Sequence, residues 1–267
     1  MKNKNNGAKP IYKPYLKGNV ISGTAAKRGL SVLGMEVLFA FMFVLIATMA
    51  TGGAHWITVS VNVLLVLGAA FAMYNAGAGK GEGDVGFAEI AQARLDSGKN
   101  VPDSEKDRCY NALKGFFSAA VGALPVFAIA LLFSMIAHRQ LVSMGVLPSW
   151  VAAYEQHEDI GAALAWYSEV SPVTLEDILR IIMRVFVFPF VNIAGADNYD
   201  AMYLVDRLSP LLVLIMPFFY GLGYLRGPHL RAMVHGNIRQ NRRRHNRKER
   251  RAREKRALEM KQKKELV

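Results

Sequence analysis

Apolar residues along this chain come in long blocks almost free of charge, not in the 3.6-residue stripes of a soluble helix. Residues 30–51 make a block of 22 whose one charge is Glu36, residues 56–74 a block of 19 without charge, residues 115–137 one of 23, and residues 208–225 one of 18. A helix needs about 20 apolar residues to cross the ~30 Å hydrocarbon core of a bilayer, so each block predicts a transmembrane helix. Trp56, Tyr74, Tyr220 and Tyr224 fall near block ends, where amphipathic rings prefer the headgroup level. A fifth block, residues 185–196, has only 12 charge-free residues, about 18 Å of helix and too short to cross. Arg180 and Arg184 precede it on one helical face, and Thr174 followed by Asp177 forms a capping-box-like start. The expectation is a helix over residues 175–193, interfacial, re-entrant or docked against the bundle.

Lys and Arg between the blocks predict the threading. Residues 1–28 carry seven of them and no acid, residues 52–55 none and residues 75–114 six. Residues 137–177 carry only Arg139 among six acids, and sixteen follow from Arg226 onward. Four crossings with both termini in the cytoplasm reproduce this alternation; a fifth would put one basic terminus on the wrong side. The expected fold is an all-α integral membrane protein of the plasma membrane, a four-transmembrane-helix bundle. A basic N-terminal segment (residues 1–29) precedes a membrane domain (residues 30–225). That domain has a cytoplasmic loop over residues 75–114 and an external segment over residues 138–207. A basic cytoplasmic tail follows (residues 226–267). The first block is about twice a secretory core in length, so a retained signal anchor is expected.

The net charge changes the picture only at one end. The whole chain sums to +12, and so do residues 226–267 with sixteen Lys/Arg against four Glu; residues 1–225 balance. Residues 241–256, NRRRHNRKERRAREKR, hold eight Arg and two Lys. Arg, Lys, Glu, Ala and Gln are good helix formers, but the apolar residues of the tail make no continuous stripe. A charged helical rod or a disordered arm is expected. Arg242, Arg243, Arg244, Arg247, Lys248, Arg250, Arg251 and Arg253 are its candidate contacts for anionic lipid headgroups, for a protein partner or for RNA such as a ribosome. No aromatic residue in residues 226–267 is there to stack on a base.

Candidate chemistry elsewhere is sparse. Glu36 is the one carboxylate within a predicted span. It is read either as a shallow group reaching Lys27 and Arg28 at the interface or as a functional proton- or cation-binding carboxylate. The stretch AGAGKGEGDVG (residues 76–86) lacks the Ser or Thr after Lys80 that a phosphate loop needs, and reads as a flexible linker. Phe87, Ile90, Ala91 and Leu95 then suggest a short amphipathic helix on the inner leaflet. Glu155, His157, Glu158 and Asp159 form an acidic loop without metal-ligand spacing. Cys109 stands alone and forms no internal disulfide. Gly115, Ala119 and Ala123 give the third span a smooth packing face, Asn62 and Ser134 are candidates to bond across the bundle, Pro125 and Pro217 interrupt spans, and Asp206 and Arg207 mark the outer mouth of the last span. No catalytic motif, metal site or cofactor site is present in the pattern. The expectation is a non-enzymatic accessory, scaffold or assembly component, partnered or homo-oligomeric, whose tail docks on lipid, protein or RNA. The alternative is a transporter or permease component using Glu36.

Overall fold

Proline decides where several of the helices stop. The computed structural model describes residues 9–49, 55–139, 154, 157, 173–195 and 198–265. Among them the elements are α1 (Gly23–Met49), α2 (His55–Asp96), α3 (Asp103–Lys106), α4 (Lys114–Ile136), α5 (Leu175–Phe186), α6 (Phe188–Ala194), α7 (Tyr199–Val213), α8 (Ile215–Leu225) and α9 (Gly227–Glu265), with no strand. The chain turns at Val187, Leu214 and Arg226, and each time a proline (Pro189, Pro217, Pro228) lies two or three residues on, in the first turn of the next helix. Proline lacks the N–H and clashes with the carbonyl four residues back, but fits a first turn. Pro125 and Pro210 lie inside α4 and α7.

Among the described residues, four helical stretches are long and apolar enough to cross a membrane: Gly23–Ile46, His55–Asp96, Lys114–Ile136 and Tyr199–Leu225, the last running through the α7–α8 joint. They contain the predicted blocks at residues 56–74 and 208–225 and overlap those at residues 30–51 and 115–137. The last begins nine residues before the predicted residue 208, so Asp206 and Arg207 lie within it and not at its mouth. The helix Asp206 belongs to is continuous from Tyr199, capped by the Asn198 side chain, which accepts from the Ala201 amide at 3.0 Å.

The chain forms two compact units. One is built from Ala26–Met73 and Ser118–Phe219. In it α1 and α4 approach closely: a Cβ on Gly29 would meet the Val121 side chain, and one on Gly122 would meet Val32 and the Gly29 carbonyl. Ala119 and Ala123, each 3 % exposed, continue this face of α4. Val126, Ala130 and Phe133 of α4 share a core with Met183, Val187 and Val213. The helix expected over residues 175–193 is therefore α5 and α6 broken at Val187, docked against α4 and α7. Its capping box is formed: the Asp177 amide donates to Thr174 Oγ1 at 3.3 Å and the Thr174 amide donates to Asp177 Oδ2 at 3.1 Å. Ser134 Oγ donates to the Arg207 carbonyl at 2.7 Å, bonding between α4 and α7 as anticipated. Asn62 does not reach across; its amide donates to the Thr58 carbonyl one turn back at 2.7 Å.

The other unit is built from Met1–Ala25, Tyr74–Phe117 and Tyr220–Val267. Residues 76–86, read from composition as a linker, are unbroken helix within the 42-residue α2, which also absorbs the separate amphipathic helix expected at residues 87–95. At 1.5 Å per residue α2 is about 63 Å long, twice a bilayer core. Five glycines at about 1 kcal/mol each oppose a helix here, so contacts must hold it. They do: a Cβ on Gly77 would collide with the Tyr220 carbonyl, one on Gly81 with the Tyr224 carbonyl and Gly227, and one on Gly223 with the Tyr74 backbone. Gly77 and Gly81 thus face Gly223 and Gly227, two small-xxx-small pairs that let the backbones touch. Gly115 abuts the Tyr224 ring in the same unit. Phe87 and Ala91, expected to face lipid, join Val85, Ala88 and Val101 in a core with Cys109, Tyr110 and Tyr224.

Candidate functional site

The basic segment is a continuous α-helix. α9 runs 39 residues from Gly227 to Glu265, about 58 Å, and its two ends differ in how their charge is met. At the base, Arg231 donates to Glu82 at 3.0 Å and to Glu89 at 3.1 Å, while His235 Nε2 lies 2.8 Å from both Glu89 oxygens. Burial weakens the Arg231 charge, but these hydrogen bonds outweigh it and raise the guanidinium above its ordinary value. The N-terminal segment adds an Ile11 amide to Ala232 carbonyl bond of 2.9 Å and a contact of Tyr12 Oη with His229 Nδ1 at 3.0 Å. The contacts climb α2 and α9 in the same order, Glu82 then Glu89 against Arg231 then His235, so the two helices run parallel.

From residue 241 to residue 254 the helix is bare. Arg242, Arg243, Arg244, Arg247, Lys248, Arg250, Arg251 and Arg253 are all exposed. At 100° per residue they spread over about two thirds of the circumference, so this is a cationic rod and not an amphipathic face. Only two carboxylates, Glu249 and Glu254, accompany the ten basic residues of positions 241–256. Glu249 lies 3.6 Å from His245, and Glu254 lies 3.4 Å from Arg250. Exposed pairs of this kind stabilise a helix by only a few tenths of a kcal/mol.

Beneath the arm's base lies a polar centre that sequence reading missed. Lys114, fully buried, sits 3.4 Å from Asp84 and donates to the carbonyls of Asp107 (2.7 Å) and Cys109 (3.1 Å). Asp84 accepts from Tyr224 Oη at 2.6 Å. Thirty residues separate Asp84 from Lys114, and no local pattern pairs them. Beside it, burial pushes the Cys109 thiol above its ordinary value against the pull of the Lys114 charge, which leaves it a poor nucleophile.

The membrane-spanning unit holds two further sites. In one, Arg180, 5 % exposed, meets Glu176, Asp177 and, at 3.7 Å, Asp206, while Arg184 meets Asp206 at 3.0 Å. The face shared by Arg180 and Arg184 was legible; its partner Asp206 was not. In the other, Glu36 does not extend to Lys27 and Arg28. It is 6 % exposed, its Oε1 finds no hydrogen-bond partner among the described residues, and it lines a cavity of about 20 Å³ with the rings of Phe39, Phe43, Phe186 and Phe190.

Among the described residues no group of three or more His, Cys, Asp or Glu is placed to hold a metal ion. Glu155, Glu158 and Asp159 lie outside the described residues. Searches against family models, curated proteins and solved structures match nothing to this chain.

Proposed function

We propose that the protein is a multi-pass plasma-membrane component, non-enzymatic, with both termini in the cytoplasm, that docks a polyanionic partner on α9. The observation that carries this reading is the division of the arm: its base is neutralised and fixed by Glu82 and Glu89, while positions 242–253 present Arg and Lys with little compensation. A guanidinium fork suits carboxylate and phosphate alike. Arg242 follows Leu225 by 17 residues, about 25 Å of helix and more than two Debye lengths at physiological salt. That spacing suits a partner reaching in from solution, an acidic protein face or RNA, better than the headgroups of the protein's own bilayer.

The test is deletion of residues 241–267 in the full chain. Membrane insertion is expected to persist while co-purification of the partner is lost and falls steeply with salt in the intact protein. Nuclease treatment separates RNA from protein, and binding to vesicles rich in phosphatidylserine measures the lipid contribution. Retention of every partner by the truncated protein would end the docking role.

A further inference from the structure

Glu36 raises a question that the arm does not touch: which ligand suits one carboxyl group closed among phenylalanines. The cavity is formed by Phe39 and Phe43 of α1, Phe186 of α5 and Phe190 of α6, and it is closed by aliphatic side chains of α7 and Met216 of α8. None of the lining residues besides Glu36 is ionisable. The charged residues on the lining elements are engaged elsewhere: Arg180 with Glu176 and Asp177, Arg184 with Asp206, and Ser134 and Tyr203 bond Arg207. On α1 itself, Lys27 and Arg28 lie more than two turns before Glu36.

Three ligand classes can be compared. A divalent cation takes six or more oxygens at about 2.0–2.6 Å, and one carboxyl does not supply them. An organic cation would find aromatic faces but no room, because about 20 Å³ is the space of a single water. A proton needs neither further ligands nor volume, and it removes the charge that burial without a partner penalises most heavily. We propose that Glu36 is a proton-binding site of the membrane-spanning unit, neutral while the phenylalanine cavity is closed and exchanging its proton when water enters. The proposal rests on α1 spanning the bilayer and is independent of what α9 docks.

Infrared difference spectroscopy on the full-length protein in liposomes tests it. At neutral pH, where exposed carboxyls are ionised, the wild type is expected to show the carbonyl stretch of one un-ionised carboxylic acid per chain. The band shifts in deuterated water and is missing in Glu36→Gln. If that variant does not accumulate, Glu36→Met, which fills the cavity with an apolar chain, serves as the reference. The band is expected to survive Na⁺ or K⁺ at fixed pH and to vanish reversibly in alkali. Absence of the band at neutral pH, its persistence in both variants, or its loss on adding Na⁺ would each overturn the proton assignment.

Discussion

Two carboxylates of this protein are buried to the same degree and live in opposite surroundings. Asp84 is 5 % exposed and Glu36 6 %. Asp84 has the Lys114 ammonium at 3.4 Å and the Tyr224 hydroxyl at 2.6 Å; Glu36 has aromatic walls and an oxygen that bonds to none of the described residues. Equal burial therefore does not imply equal chemistry. A buried charge is tolerated when paired and hydrogen-bonded, and an unpaired acid is instead driven to neutrality. Asp84 reads as a fastener for the glycine-rich half of α2, and Glu36 as a group kept for exchange.

The largest expected effect comes from breaking the first of the pair. Lys114→Met takes from Asp84 the cation at 3.4 Å and from the Asp107 and Cys109 carbonyls one donor each, and should destabilise the protein by about 3–5 kcal/mol. Chaotrope unfolding in detergent micelles measures it. Asp84→Leu combined with Lys114→Met should recover much of that loss, because removing both charges also removes the desolvation penalty. If the double variant is no better than Lys114→Met alone, Asp84 is not the group that Lys114 compensates.

Next in size is the seam that brings Asp84 to its partner. Gly223→Val puts a branched side chain against the Tyr74 backbone, which cannot yield as a flexible side chain would. A loss of about 3 kcal/mol is expected, at the upper end for overpacking. Gly79→Ala, on the open side of α2 with nothing within 4 Å, should instead stabilise that helix by up to about 1 kcal/mol. Equal effects at the two glycines would show that the seam does not hold residues 74–96.

These positions also show how far the sequence could be read. Charge-free block length marked all four crossings because that signal is local and long, and the Thr174–Asp177 box was visible because its partners are three residues apart. Glycine content, in contrast, said linker for residues 76–86, since propensity speaks only of the isolated helix. The overriding signal lay in a second segment, the Gly223–Gly227 spacing that answers Gly77–Gly81. Asp206 was assigned to a mouth because the hydropathy of the last span rises only at residue 208; its partners Arg184 and Arg180 come from α5, 22 and 26 residues earlier. Glu36 could be flagged as the lone acid in its block, but Phe186 and Phe190, which close the cavity over it with Phe39 and Phe43 of its own helix, stand 150 and 154 residues later.

Glu36 should answer substitution with the opposite sign. Replacing an unsatisfied buried polar group by an apolar one of similar shape is neutral or favourable, so Glu36→Met is expected to gain about 1–2 kcal/mol in the same unfolding assay. Asp84→Leu alone, which removes the carboxylate 3.4 Å from the buried Lys114 ammonium, loses stability. If both substitutions destabilise by similar amounts, the distinction drawn from their partners fails, and Glu36 has a counter-charge in the folded protein.

The smallest effect carries the contrast to a carboxylate that is partnered but near the surface. Hydrogen bonds from the Thr174 side chain and amide, with the Arg180 charge, outweigh slight burial and hold Asp177 below its ordinary value. For Glu176, burial opposes ionisation, but bonds from the His138 amide and ring and the Arg180 charge again hold it low. A carboxyl whose folded value is depressed contributes stability that is present above its unfolded value, near 4, and that is lost as pH falls through the folded value. The first turn of α5 should therefore keep its protection from hydrogen exchange at neutral pH and lose it on the acid side of about pH 4. Thr174→Ala removes the cap at any pH, at about 1 kcal/mol, and should raise exchange at the Asp177 and Ile178 amides several-fold. Asp177→Asn keeps a side-chain oxygen to accept from the Thr174 amide but cannot titrate, so its neutral-pH exchange should stay near wild type while its acid sensitivity shrinks to the share owed to Glu176. Unchanged acid fraying in Asp177→Asn would assign the whole effect to Glu176 and its bonds to His138 and Arg180.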